Sequence, residues 1–274
     1  MALIPFPGSA ARPTPDDDPE EDDLDRDDGA SGGKMSFLEH LDELRRRLVV
    51  SVSAIGVGFL IAFAFIDRIF GFIMRPLQQI LPAGGKLVYT EPTEAFMLQL
   101  KVAALAGLVI SAPVIMWQLW LFVAPGLYAR EKRFALPFVL FSTVSFVGGA
   151  AFSHYIVFPA AWTFFASFNN DYMQFMPKIS EAFGLYAYMM LAFAVIFQMP
   201  TLVLALARMG VVTAGFLWRH TKYAILIIFI LAAVITPSSD VVNQTLMAGP
   251  MIALYLLSII IAWVFGKKRR TSDD

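Results

Sequence analysis

From Met35 onward, long apolar blocks alternate with short polar connections. Stretches without Asp, Glu, Lys or Arg recur six times, at residues 48–66, 102–123, 134–158, 183–207, 223–235 and 242–265. A helix needs about 20 apolar residues to cross a hydrocarbon core of about 30 Å, and five of the six blocks have at least 19 residues. The pattern therefore predicts an all-α integral membrane protein with six transmembrane helices.

The last two blocks differ from the others. The fifth has only 13 residues, about 20 Å of helix, and the sixth is interrupted by Gly249 and Pro250. Pro113 and Pro200 lie inside the second and fourth blocks, where a proline removes a backbone hydrogen bond and bends the helix. We therefore expect short last two spans, and kinked helices that form a concave, lipid-facing groove.

Composition agrees with a membrane protein and narrows its chemistry. Hydrophobic residues make up 58% of the chain and charged residues 16%, whereas about a quarter of a soluble domain is charged. The chain has no cysteine, which excludes disulfides and cysteine-ligated metal sites. His40, His154 and His220 are far apart in the sequence and lack the spacing of metal ligands. We expect no metal, no cofactor and no enzymatic activity.

Charge divides the chain into three parts. Ten acidic residues fall between Asp16 and Asp28, in a proline-containing segment that cannot bury enough apolar surface to fold. We expect a disordered acidic tail over residues 1–34, with Met35 as an alternative start. After the tail we expect a six-span membrane domain over residues 35–266 and then a cytoplasmic C-terminal tail over residues 267–274.

Basic residues predict the orientation. Lys and Arg concentrate on the cytoplasmic side of short loops, and thirteen of them flank alternate connections, within residues 45–47, 130–133, 208–222 and 267–270. The opposite connections hold five bases over longer stretches. We therefore expect a multi-pass protein of the plasma membrane with both termini in the cytoplasm.

Acidic residues interrupt the basic clusters at the predicted cytoplasmic edge. Glu43 and Arg47 are four residues apart, the spacing of a helical ion pair worth about 0.3 to 0.5 kcal/mol. One interpretation is local charge balance. The other is recognition of a cationic ligand, because a carboxylate binds a guanidinium through two parallel hydrogen bonds that lysine does not reproduce.

Gln198 is the conspicuous polar residue of the fourth block. Its amide either pairs within the helical bundle or binds a polar group on a partner's transmembrane helix, and the sequence favours neither. The six blocks contain no ionised side chain, which disfavours a carrier of small ions. A secondary transporter for a small solute and a membrane scaffold without substrate are the alternatives to a receptor.

Several motifs resemble the TatC family, the multispanning component of the twin-arginine protein translocase. They are FLEHLDELRRRL at residues 37–48, MRPL at 74–77, SAPVIMWQLWLFVAPGLYAREKR at 111–133, FP at 158–159 and TPSSDVVNQTLMAGPM at 236–251. The resemblance covers nearly all of residues 36–266. It implies six spans with both ends inside and shortened last helices.

The resemblance also implies a signal-peptide site. The family recognises signal peptides with consecutive arginines, and its two cytoplasmic recognition glutamates match Glu43 and Glu131. Other positions around that site match Arg45, Phe122 and Pro125.

Four further residues match other family positions, and a fifth departs from the family. Pro76 and Phe96 match positions of an outer cap, and Asp240 and Gln244 match the loop leading into the sixth span. Where family members often carry a glutamate in the fourth span, this chain has Gln198. A hydrogen bond is therefore possible there, but an ionised side chain is not.

Partners follow from the resemblance alone. They are TatA- and TatB-like single-span proteins near Gln198 and the fifth span, folded cargo with twin-arginine signal peptides, membrane lipid and further copies of the chain. No nucleic acid is expected. The proton-motive force would drive export.

Overall fold

The computed structural model describes residues 37–81, 87–123, 135–236 and 240–266. The chain divides into two units, residues 1–42 and 43–274. The described part of the first unit is the beginning of one helix, and the second unit contains the other helices. The tails predicted for residues 1–34 and 267–274 lie outside the described residues, so the division into three parts stays a prediction.

Helices make up nearly all of the described chain, which confirms the all-α class. In order they are α1 Phe37–Ala64, α2 Ile66–Ile80, α3 Glu94–Ile110, α4 Ala112–Val123, α5 Ala135–Phe152, a π-helical segment Ser153–Val157, α6 Phe158–Ala166, α7 Ile179–Ile196, α8 Met199–Arg208, α9 Ala214–Arg219, α10 Thr221–Ile235 and α11 Val241–Phe265. Extended pairing within the described ranges is limited to isolated bridges, one of which joins Val88 to Lys178.

Four segments are long and apolar enough to cross a membrane: His40–Ala64, Leu136–Ala166, Ile179–Arg208 and Val241–Phe265. A fifth crossing results if α3 and α4, which are bent by 53°, count as one span. Helix α10 is apolar but has 15 residues, about 22 Å. The described helices thus provide up to five spans by length, and the predicted total of six depends on whether α10 crosses.

Prolines follow the breaks in two of these spans, as the sequence predicted. Helix α3 ends at Ile110 and α4 begins at Ala112, directly before Pro113. Helices α7 and α8 are separated by two residues, and Pro200 occupies the second position of α8. A proline is well tolerated there, because the first amides of a helix have no intrahelical partner.

The prediction of a short, interrupted last span is wrong. Helix α11 is continuous over 25 residues with Pro250 in its interior, a length of about 37 Å. Pro250 removes one backbone hydrogen bond, but α8, α9 and α10 all pack against this helix. Met247, Ala248 and Met251 beside the proline are fully buried. This packing offsets the lost bond, so only α10 is short.

The main core lies where α2, α3, α6, α7, α10 and α11 meet. By contrast, aliphatic side chains on α1 and α10 face outward. Leu60 is 66% exposed and Val234 is 67% exposed. Exposed apolar surface on helices of this composition is expected to contact lipid or a partner helix.

Glycines set the spacing of two helix pairs. A Cβ at Gly107 of α3 would collide with the backbone of Phe59 in α1, and a Cβ at Gly149 of α5 would collide with the carbonyl of Phe193 in α7. Small residues allow such close approach between membrane helices. Ser111 adds a hydrogen bond of 2.7 Å from its Oγ to the carbonyl of Ala54. Helix α1 is thereby held against α3 beside the start of α4.

Candidate functional site

Glu43, Arg47 and Gln118 form a polar cluster between α1 and α4, which we call the inner cluster. The spacing of four residues places Glu43 and Arg47 on one face of α1, and Arg47 Nη2 lies 3.0 Å from Glu43 Oε1. This confirms the predicted helical ion pair. Arg47 Nη1 also donates to Gln118 Oε1 at 3.4 Å, so one guanidinium joins two helices.

Partial burial distinguishes this cluster from an ordinary surface ion pair. The Glu43 side chain is 16% exposed and that of Arg47 is 28% exposed. Glu43 Oε2 and Arg47 Nε are buried and have no hydrogen-bond partner among the described residues. An unsatisfied buried polar atom is unfavourable, so a ligand that donates a hydrogen bond to Oε2 would relieve that cost.

The other residues expected at the cytoplasmic site fall into two groups. Arg45 is exposed on α1, and Phe122 is half-buried one turn after Gln118 on α4. Glu131 and Pro125 lie outside the described residues. The structure thus describes one of the two glutamates expected to recognise the signal peptide, and both this role and the pairing of Glu43 with Glu131 stay predictions.

Gln118 was missed by the sequence analysis, although it lies within one of the quoted motifs. Its signal was an amide in the otherwise apolar run of α4. Such a side chain needs a partner when half-buried, but only the packing of α4 beside α1 identifies that partner as Arg47.

Gln198 lies between α7 and α8, at the break before Pro200. Its Nε2 donates to the backbone carbonyl of Ser142 in α5 at 2.9 Å. This bond favours the interpretation that the amide pairs within the bundle. A contact between Gln198 and a partner helix stays a prediction.

Backbone hydrogen bonds order a cap over the opposite connections, where the family resemblance implies an outer cap. The amide of Ile179 donates to the carbonyl of Val88 at 2.9 Å, and the amide of Val88 donates to the carbonyl of Pro177 at 3.3 Å. These bonds join two distant loops. Phe96 is 54% exposed nearby on α3, and Pro76 is half-buried inside α2.

Glu94 is the buried acid of this cap, eight residues before the predicted start of the second span. It accepts from the amide of Thr90 at 3.0 Å and from that of Ser180 at 3.2 Å, and Lys178 Nζ lies 3.8 Å away. The Ser180 side chain and these backbone amides lower the pKa of Glu94 to about 2, because they favour the charged carboxylate.

Asp240 and Gln244 act on local structure at the start of α11. Asp240 caps the helix, because its Oδ1 accepts from the amide of Asn243 at 2.8 Å. Gln244 Nε2 donates to the carbonyl of Phe229 at 2.9 Å, which joins α11 to α10. Both residues thus define how the last loop enters α11.

The inner cluster has the groups of a binding site for a cation. Within the described ranges, no group of three His, Cys, Asp or Glu side chains is placed to hold a metal ion. His154 is buried and its Nδ1 lies 3.0 Å from the hydroxyl of Tyr186. The inner cluster offers a carboxylate oxygen at the end of a membrane helix, which is suited to a cationic group.

Comparison with known proteins identifies relatives over most of the chain. The sequence model of the family described as Sec-independent protein translocase protein (TatC) matches residues 39–250. The protein of that name from Koribacter versatilis (strain Ellin345) is 44% identical over 239 residues, which are 86% of this chain and 88% of the relative. The one from Desulforapulum autotrophicum is 46% identical over 241 residues, 88% of this chain and 89% of the relative.

Solved structures give the same result. A crystal structure described as the twin arginine translocase receptor TatC superposes with a TM-score of 0.71 at 34% identity, and covers 82% of this chain and 98% of that one. A second, described as the same receptor in DDM, gives a TM-score of 0.73 at 34% identity, with 84% of this chain and 100% of that one covered.

Proposed function

Because this chain belongs to the TatC family of Sec-independent protein translocase proteins, we propose that Glu43 and Glu131 bind the paired arginines of signal peptides. The chain is a membrane component of the twin-arginine translocation system and not an enzyme. The proposal adds which groups recognise the cargo and on which side of the membrane they act.

The observation that carries this proposal is the unequal bonding of the two Glu43 oxygens. Oε1 is bound by Arg47, whereas Oε2 is buried without a partner among the described residues. A guanidinium of the signal peptide would donate to Oε2 while Arg47 stays bound to Oε1. Glu131 would take the second arginine, and Arg45, Phe122 and Pro125 would line the site.

The side of the membrane follows from the distribution of bases. The inner cluster lies at the start of α1, among the basic residues that favour the cytoplasmic side. Six spans, with α10 crossing a locally thinned bilayer, would leave both termini in the cytoplasm. Signal peptides of folded precursors would thus meet the inner cluster before export.

Charge alone does not retain the cargo. An exposed ion pair contributes about 0.2 to 1 kcal/mol, whereas apolar burial contributes about 25 cal/mol per Å² before the costs of association. We therefore assign selection to the carboxylates and retention to the apolar segment of the signal peptide, bound in a lipid-facing groove.

Assembly with TatA- and TatB-like single-span proteins is the second part of the proposal. The exposed aliphatic face of α10 and the amide of Gln198 would contact their transmembrane helices. Export of folded cargo would then draw on the proton-motive force. Self-association of the chain would complete the complex.

Site-specific crosslinking tests the receptor proposal. A photoreactive residue beside the arginine pair of a precursor should crosslink to the wild-type chain in membranes. Glu43→Gln and Glu131→Gln should lower the yield strongly, because each removes a charge with little change in shape. Glu181→Gln, at an exposed acid at the start of α7, is the matched control and should crosslink normally. Wild-type yield from both site variants would exclude the proposal.

A further inference from the structure

Helix α2 has a polar and an apolar face. Ile73, Met74 and Leu77 are buried in the core, whereas Arg68 and Arg75, two turns apart, are exposed. An amphipathic helix with basic residues on its polar face typically lies in the interface between lipid and water. It begins two residues after the end of α1, toward the opposite end of that helix from Glu43. The basic face of α2 would therefore meet the opposite leaflet.

A cavity of about 350 Å³ lies between α2 and the segment that leads into α6. The lining residues with polar side chains are Arg75, Gln79, His154 and Thr163. Its apolar lining includes Phe72, Tyr155 and Pro159. We call this cavity the α2 pocket.

The wall of the α2 pocket is held in place by buried contacts. The His154 ring stacks on that of Phe72, with centroids 4.4 Å apart and planes 15° apart. His154 is fixed in turn by the Tyr186 hydroxyl, 3.0 Å from its Nδ1. The π-helical segment buries His154 and leaves its neighbour Tyr155 65% exposed. Such π-helical turns occur frequently at functional sites.

The charge of the pocket points to an anion. Arg75 makes no ion pair or hydrogen bond to another described residue, and none of the described residues that line the cavity is acidic. A guanidinium matches the oxygens of a phosphate through parallel hydrogen bonds. The side-chain amide of Gln79 would donate to a further oxygen of such a ligand. The Thr163 hydroxyl donates to the Pro159 carbonyl at 2.8 Å, so it would accept a hydrogen bond from a ligand hydroxyl.

The apolar lining distinguishes a lipid from a free anion. Phe72 and Tyr155, which line the pocket, are 46% and 65% exposed. A soluble phosphate would leave this surface unused, whereas the glycerol and upper acyl chain of a phospholipid would cover it. We propose that the α2 pocket binds the phosphate-bearing head group of an anionic phospholipid, with Arg75 as the ligand of the phosphate.

Lipid titration of the purified, delipidated protein in detergent tests this proposal. Binding of phosphatidylglycerol, measured by native mass spectrometry, should be about tenfold weaker in Arg75→Gln than in the wild type, the loss expected for a hydrogen bond to a charged group. Arg75→Lys should retain part of the binding. Arg68→Gln is the matched control, because this base lies on the same helix but does not line the pocket.

Three outcomes would overturn the proposal. They are unchanged binding in Arg75→Gln, an equal loss in Arg68→Gln, and equal occupancy of the site by phosphatidylcholine. Competition by inorganic phosphate at the lipid's concentration would instead assign the site to a free anion, against the proposal. If Arg75→Gln is unstable, Gln79→Leu replaces it as the test, because this variant keeps the charge of Arg75 and should still weaken phosphatidylglycerol binding severalfold. Wild-type lipid binding in Gln79→Leu would also contradict the proposal.

Discussion

Glu43 and Glu94 are both shielded carboxylates next to a basic side chain, but their oxygens are bonded very differently. Glu94 accepts from the amides of Thr90 and Ser180 and lies near Lys178. Glu43 has one oxygen on Arg47 and the other without a described partner. The bonds to Glu94 stabilise the fold, whereas the buried Oε2 of Glu43 lacks a bond that a ligand entering the cluster would supply. The comparison therefore favours a structural role for Glu94 in the outer cap and supports the recognition role proposed for Glu43 in the inner cluster.

Replacing Glu43 or Glu94 by glutamine should separate the binding role from the structural role, and we expect the largest change in signal-peptide binding here. Glu43→Gln should weaken binding of a fluorescent twin-arginine signal peptide about tenfold or more, because a hydrogen bond to a charged group is worth about 1.5 to 3 kcal/mol. Glu94→Gln should leave binding within about twofold of the wild type but lower the Tm. The comparison fails if Glu94→Gln weakens binding as much as Glu43→Gln.

Acid should destabilise the protein through Glu94. Its pKa is lowered from 4.5 to about 2. The contribution of the Glu94 carboxylate to the free energy of unfolding is therefore complete above pH 4.5 and is lost as the pH falls toward 2. Thermal unfolding in detergent at pH 6 and pH 3 should show a larger loss of Tm in the wild type than in Glu94→Gln, which has no carboxylate to protonate. Equal losses in both proteins would assign the acid sensitivity to other groups.

Gln118 sharpens the comparison at the inner cluster. Gln118→Leu should weaken signal-peptide binding about three- to tenfold, because Arg47 loses a hydrogen bond worth about 0.5 to 1.5 kcal/mol and no longer orients Glu43. Gln118→Glu keeps an acceptor for Arg47 and should restore most of the binding. A purely structural role predicts no such recovery, and wild-type affinity in Gln118→Leu would remove Gln118 from the site.

Gln198 should give the smallest effect. Gln198→Leu removes the bond to the Ser142 carbonyl, worth about 1 kcal/mol, and should lower the Tm slightly. We also expect weaker copurification of a TatB-like partner with unchanged signal-peptide binding. Unchanged copurification together with a lower Tm would limit Gln198 to the packing of α5 against α8.

Local and periodic features were predictable from the sequence. The apolar blocks predicted the helices, the four-residue spacing predicted the contact of Glu43 with Arg47, and Pro113 predicted the break between α3 and α4. All three depend on residues close together in the chain. The prediction that α11 is interrupted was wrong, because neighbouring helices stabilise this helix around Pro250.

Contacts between distant residues were decided by tertiary structure alone. Gln118 meets Arg47 across 71 residues, and Glu94 meets Ser180 across 86 residues. The α2 pocket likewise exists only because α2 packs beside α6 and the π-helical segment. Amino-acid composition and helical period determined that this protein is helical and built for a membrane, because burial in lipid requires satisfied backbone groups and apolar side chains. Which polar atom is left without a partner depends on how the helices pack.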